Sequence, residues 1–187
     1  MSSHHQRHIR RWWRRSPLLQ DYQPRSRKPQ QQLWPELKDV PADFVLYGGT
    51  AIALHLGHRQ SVDFDFFSSK PFEVDVLIRN VLWLAGGERI QSQPNTLTVA
   101  VDRGGSVKVS FFGGLKMGCV EMPLLAPDIG LRIAARLDLF ATKLKTVQDR
   151  AESRDYIDVA ALVRTGISLT DGLAAATAVY GEQFNPI

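Results

Sequence analysis

GGTAIALHLGHRQSVDFDFF, residues 48–67, joins a glycine turn to a run of alternating apolar and acidic residues. Its first two residues, Gly48 and Gly49, cut off a short apolar run, Phe44-Val45-Leu46-Tyr47, of strand character. Thr50 to Leu56 then reads as a helix that opens at this turn and ends at Gly57. Ser61 to Phe67 alternates, with Val62, Phe64 and Phe66 facing one way and Ser61, Asp63 and Asp65 the other. That pattern predicts a half-buried strand whose polar face points at something.

Phe72 to Ala85 carries apolar residues at Val74, Leu77, Ile78, Val81, Leu82 and Ala85, a helical spacing closed by Gly86-Gly87. Thr96–Val101 and Ser106–Phe112 read as strands joined by Asp102-Arg103-Gly104-Gly105, a hairpin signal. The stretch from Gly113 to Pro127 leaves room for one more strand. Helices are predicted from about Asp138 to Asp149, Ser153 to Val163 and Leu169 to Tyr180. There is no internal repeat. The order implies an α+β protein: a mixed sheet with flanking helices over residues 41–187, helical from about 138, behind a basic, flexible extension over 1–40.

The composition, 44% hydrophobic and 22% charged over 187 residues, suits one domain with a real core. No apolar run approaches the roughly 18 residues of a membrane span, and the basic start lacks the apolar segment of a secretory signal. The single cysteine, Cys119, excludes an internal disulfide framework and fits a reducing cytoplasm. The net charge of +4 is uneven: residues 1–40 hold nine Lys/Arg against three Asp/Glu, leaving the remainder near −2. This arm, with Trp12, Trp13 and Trp34, offers phosphate contacts and stacking surfaces for nucleic acid. The plainer and favoured reading is a disordered extension, or the product of a start placed too far upstream.

Asp63 and Asp65, two apart on a strand, project from one face with little separation. Two such charges repel unless a cation lies between them, and all-oxygen ligands select Mg²⁺ or Mn²⁺ over zinc. A D-x-D pair alone is a weak signal. The upstream strand ending in Gly48-Gly49 and opening a helix strengthens it, because glycines let backbone approach a phosphate and the helix N-terminus presents free N–H groups. Mg²⁺ is normally shared between carboxylates and substrate phosphates, so the two features complement each other.

With its glycine pair some ten residues before D-x-D, the stretch resembles the signature of the DNA polymerase β-type nucleotidyltransferase superfamily. More narrowly, Gly48-Gly49-Thr50-Ala51, His58-Arg59, Ser61 and Asp63-Phe64-Asp65-Phe66-Phe67 are similar to the AbiEii/AbiGii toxin family. Asp138-Leu-Phe-Ala-Thr-Lys143, Arg150 and Arg154-Asp155-Tyr-Ile-Asp158 resemble that family's D-x-x-A-x-K and R-D-x-x-D motifs, so the match runs over about residues 40–165. The resemblance implies attack on the α-phosphate of an NTP, GTP being the first to try, with pyrophosphate leaving. It implies Mg²⁺ (or Mn²⁺) on Asp63 and Asp65, a triphosphate cradle at Gly48, Gly49 and Thr50, and Lys143 near the phosphates. Asp155 joins the implied catalytic set, while Arg59 and Ser61 either contact the nucleotide or set the loop. An RNA or protein acceptor and a cognate antitoxin of a type IV toxin–antitoxin pair are the implied partners.

One position departs from the pattern. The superfamily places a third carboxylate on a following strand, where this chain has Ser110, with Lys108 on the same strand face. Either Asp155 or Asp158 supplies the third acid, or the site is altered or weakened. Plainer readings stand beside the functional ones. Asp155 and Asp158 share a helix face and suit a cap or an ion pair, and Lys143 suits a snorkelling lysine. His55 and His58 fit loop or capping roles, and Cys119 behaves as a small apolar residue. Two functions follow: a nucleotidyltransferase, or a nucleotide-binding or interaction module of the same fold that has lost catalysis.

Overall fold

The computed structural model describes residues 28–150 and 152–185. Six α-helices and seven strands alternate along it: α1 Lys28–Leu33, β1 Val45–Tyr47, α2 Gly48–Leu56, β2 Phe64–Phe67, α3 Val74–Asn80, β3 Glu88–Gln93, β4 Thr96–Asp102, β5 Ser106–Phe112, β6 Leu124–Leu125, β7 Arg132–Ile133, α4 Arg136–Asp149, α5 Ser153–Arg164 and α6 Leu169–Tyr180. The strands form one mixed sheet in the order β3-β4-β5-β2-β1-β7-β6. Antiparallel β1 and β2 are central, and β5 runs parallel to β2 on its other side. Placing apolar residues at alternate positions of β2 and β5 buries Phe64, Phe66, Val107, Val109 and Phe111 on one face. Phe66 stacks on Phe111 at 5.0 Å, and Phe44 meets Phe111 edge-on at 5.1 Å.

The expected flexible extension over 1–40 is corrected in its last part. α1 and the 3₁₀ helix Trp34–Asp39 pack on that apolar face, burying Leu33, Trp34 and Leu37 completely or nearly so. The Trp34 indole N–H donates to Asp128 at 2.7 Å, and Gln30 Nε2 donates to the Val62 carbonyl at 2.8 Å. Polar composition hid the three apolar anchors, which supply the burial that orders the segment. The strongly basic part, residues 1–27, lies outside the described residues. Leu33→Ala should therefore cost about 3 kcal/mol of unfolding free energy; a urea midpoint equal to wild type would contradict this packing. A truncation meant to probe the arm's contacts with RNA has to stop before Lys28.

Three further expectations shift. The strand predicted from Ser61 begins only at Phe64, and Val62 is exposed rather than inward-facing. The helix predicted over 72–85 stops at Asn80, because Val81 leaves helical backbone at φ −113° and ψ 84°. A short 3₁₀ turn then carries Trp83 and Leu84 inward and leaves Leu82 exposed. β3 escaped prediction because it is a wholly exposed edge strand, ERIQSQ, with one apolar residue. The hairpin of β4 and β5 and the three C-terminal helices lie where the sequence placed them.

α2 packs against β1 and β2 and against α4 and α5, which also pack on each other. α6 closes against α4 through Ala141, Ala175, Ala176, Val179 and Phe184. Gly172 permits that approach: a Cβ there would lie 2.7 Å from the Phe140 ring. Among the described residues, no single helix is long and apolar enough to cross a membrane.

Candidate active site

The register of β1 and β2 builds the site. Tyr47 pairs with Asp65, so the turn that ends β1 lies beside the start of β2. Gly48 takes φ +71°, and a Cβ there would lie 2.7 Å from Asp65 Oδ2. The backbone thus turns hard against the carboxylate, which only glycine allows at both counts. α2 opens at this turn with no side-chain cap, leaving the N-terminal end of its first turn for an anion. A cleft of about 530 Å³ lies in front of it. Gly48, Gly49, Arg59, Ser61, Asp63 and Asp65 line one wall, and Thr142, Lys143, Thr146, Asp149, Arg150 and Arg154 another. Lys108, Phe67 and Phe112 lie on the cleft side of the sheet.

Of the nine residues the sequence singled out, Gly48, Gly49, Arg59, Ser61, Asp63, Asp65 and Lys143 come together on this cleft. Thr50 and Asp155 do not. Thr50 is buried and its hydroxyl donates to the Asp63 carbonyl, so it ties the carboxylate loop to α2 and is not open to a triphosphate. Asp155 is wholly buried behind Lys143, whose Nζ lies 2.8 Å from Asp155 Oδ1 and 3.0 Å from Asp158 Oδ2.

Asp158 is the hub of the polar core. Arg59 grips it with two bonds, Nε to Oδ1 at 2.6 Å and Nη2 to Oδ2 at 2.8 Å, and His58 Nε2 lies 2.7 Å from Oδ1. Arg59 also donates to the Gln60 carbonyl at 2.9 Å, so it sets the loop leading to Asp63. Gly49 is needed here as well, since a Cβ would lie 2.3 Å from Arg59 Nη2. Neither Asp155 nor Asp158 is thus available as a third acid. Both are buried among cations, Asp155 also lying 3.4 Å from Arg150 Nε. Ser110, in register with Asp65, is buried and accepts a hydrogen bond from the Thr98 hydroxyl at 3.3 Å.

Electrostatics separate the carboxylates. Burial pushes the Asp65 carboxyl above its ordinary range, the Asp63 charge adds to this, and Lys108, Lys143 and Arg150 oppose it. Burial also pushes Asp158 up, but bonds from His58 and Arg59 and the charge of Lys143 hold it well below the carboxylate range. Asp155 behaves alike through Lys143 and Arg150. Depressed native values stabilise the fold above the ordinary carboxylate pKa, near about pH 4, and the contribution is lost as pH falls through those values. Urea midpoints should therefore fall as pH drops below about 4, and Asp158→Asn should flatten that fall; an equally steep fall in the variant would contradict the assignment.

Lys108, Thr146, Asp149, Arg150 and Arg154 were not picked as site residues from sequence. Thr146 and Arg150 follow Lys143 at three and seven residues along a helix, a spacing that marks one face and that could have found them. Asp138, of the D-x-x-A-x-K motif, serves the frame, accepting the backbone N–H groups of Val120 and Glu121 at 2.8 and 2.9 Å.

Sheet and helices in this arrangement recur in solved nucleotidyltransferases. MenT4, the nucleotidyltransferase toxin Rv2826c from Mycobacterium tuberculosis H37Rv, superposes with a TM-score of 0.53 at 20% identity, over 79% of this chain and 61% of that one. The antibiotic-resistance factor ANT(2'')-Ia gives 0.57 at 11% identity, over 80% and 91%. The fold is that of the nucleotidyltransferases. Within that class the chain belongs to the nucleotidyl transferase AbiEii toxin family of type IV toxin–antitoxin systems, whose family model matches residues 36–186. It is also 33% identical over 124 residues to the uncharacterized protein aq_aa25 of Aquifex aeolicus (strain VF5), a match that spans 65% of this chain and 58% of that relative's length.

Proposed function

We propose that the chain transfers a nucleotidyl group from an NTP to an RNA or protein acceptor, as the toxin of a toxin–antitoxin pair. The observation that carries this reading is the cleft in which Asp63 and Asp65 lie beside the Gly48–Gly49 helix start, facing Lys143, Arg150 and Arg154. The donor set suits Mg²⁺ or Mn²⁺: two carboxylates, one held against its own ionisation by burial and by its neighbour, with no nitrogen or sulfur ligand at hand. Among the described residues, no three or more His, Cys, Asp or Glu side chains are grouped to hold a metal. The pair therefore suits an ion whose remaining ligands are phosphate oxygens. Once bound, such an ion would neutralise phosphate charge.

The chain's own residues account for the rest. The α2 N-terminus and Gly48–Gly49 receive phosphate oxygens through backbone N–H groups. Lys143, held upright by Asp155 and Asp158, places its charge at the cleft wall without searching rotamers. Arg150 and Arg154 draw the triphosphate in. Phe67 and Phe112, edge to face at 5.6 Å, give the cleft an apolar side suited to a base. An acceptor hydroxyl then forms its bond to the α-phosphorus as the bond to pyrophosphate breaks.

Calorimetry with ATP, GTP, CTP and UTP, each with Mg²⁺, tests the binding half. One nucleotide should bind, and Arg154→Ala, an exposed cleft residue, should weaken it about tenfold; no binding of any of the four would overturn the reading. The buried hydroxyl of Ser110 beside Asp65 favours one alternative, a module that binds nucleotide without turning it over. Binding with no transfer to any acceptor in a cell extract would decide for that alternative.

A further inference from the structure

The cation nearest the carboxylate pair is part of the chain. Lys108 Nζ lies 3.2 Å from Asp63 Oδ2, the Asp63 side chain half-buried and the Lys108 side chain exposed. Its position follows from the register: β5 runs parallel to β2 with Ser110 opposite Asp65, so residues 108, 110 and 112 share the sheet face of Asp65 and Phe67. Of these three, Lys108 and Phe112 reach the cleft, whereas Ser110 is turned into the Thr98 hydroxyl. Two other cations that line the cleft are committed elsewhere, Lys143 to Asp155 and Asp158, and Arg59 to Asp158. Asp149, on the opposite wall, is ion-paired with Lys145.

We propose that the Lys108 ammonium is a resident cation of the active centre, taking the place that a second divalent ion would otherwise need, so that one divalent ion suffices. Coulomb's law makes the exchange a natural one. Two carboxylates with no third acid carry a charge that one dication already balances, so a second dication at close range meets uncompensated repulsion, and a single ammonium adds only half that excess for the nucleotide phosphates to offset. The tethered ammonium occupies its place at no translational cost, and it reaches Asp63 directly rather than through the nucleotide. This deepens the nucleotidyltransferase reading and rests on it.

Electron paramagnetic resonance of Mn²⁺ counts the ions on the full chain without reference to activity. At saturating Mn²⁺ and a non-hydrolysable NTP analogue, wild type should hold one Mn²⁺ per ternary complex. Two ions per complex would overturn the proposal and leave the nucleotide site standing; no bound ion and no bound analogue would overturn the underlying reading with it. A second arm guards against coincidence. Lys108→Met without nucleotide should bind Mn²⁺ about tenfold tighter than wild type, because the ammonium no longer competes for Asp63. Lys108→Ala combined with Ser110→Asp should admit a second ion with the analogue bound, provided circular dichroism matches wild type. Unchanged Mn²⁺ affinity in Lys108→Met would also overturn the proposal.

Discussion

Asp158→Ala is expected to lower the unfolding free energy by about 3–5 kcal/mol and to take nucleotide transfer with it. The reason is the number of cations this one wholly buried carboxylate holds. Removing it leaves His58, the Arg59 fork and Lys143 facing a gap, with the Lys143 side chain only 7% exposed. Lys143 keeps Asp155 at 2.8 Å, so it is not orphaned, but Arg59 loses both bonds that set the loop into Asp63. Urea unfolding at neutral pH measures the loss. A drop of under about 1 kcal/mol, the value of an ordinary surface ion pair, would show that the cluster is not the frame described.

Asp65→Asn is expected to separate the two properties. Ionised Asp65 sits where burial and Asp63 both oppose its charge, so a neutral isostere removes a cost to folding. A raised native pKa means stability is lost as pH rises through it, so at neutral pH the variant should unfold at an equal or higher urea concentration. Transfer should nonetheless fall on the order of a thousandfold, since charge positioned at a reacting phosphate is lost. A variant both less stable and fully active would contradict the functional placement of Asp65.

The contrast between these two aspartates explains what the sequence made legible. Asp63, Asp65 and the glycine turn could be read because their chemistry is carried by neighbours in the chain: strand alternation fixes a face, and a glycine pair fixes a turn. The three C-terminal helices were legible for the same reason, as period-3.6 patterns need no tertiary partner. What remained hidden depends on distant contacts. That Arg59 meets Asp158 across 99 residues of chain, and so helps to set the loop into Asp63, follows only from α2 packing against α5. Thr50 looked like a phosphate ligand because of its place in the turn, yet the folded loop claims its hydroxyl. Lys108 was visible on its strand face, but its closeness to Asp63 needed the parallel register of β5 on β2. β3 was missed because it is wholly exposed, and the segment Lys28–Asp39 because its apolar burial is confined to three residues.

Product labelling decides whether the Asp63–Asp65 cleft catalyses nucleotidyl transfer. Wild type and Asp63→Asn are incubated with a cell extract and each NTP, labelled at the α-phosphate or at the γ-phosphate. The expected result is α-label, but no γ-label, in a macromolecular product made by wild type alone. Ribonuclease or protease sensitivity of that product then names the acceptor class. Equal labelling by wild type and Asp63→Asn, or retention of the γ-label, would contradict catalysis by this cleft.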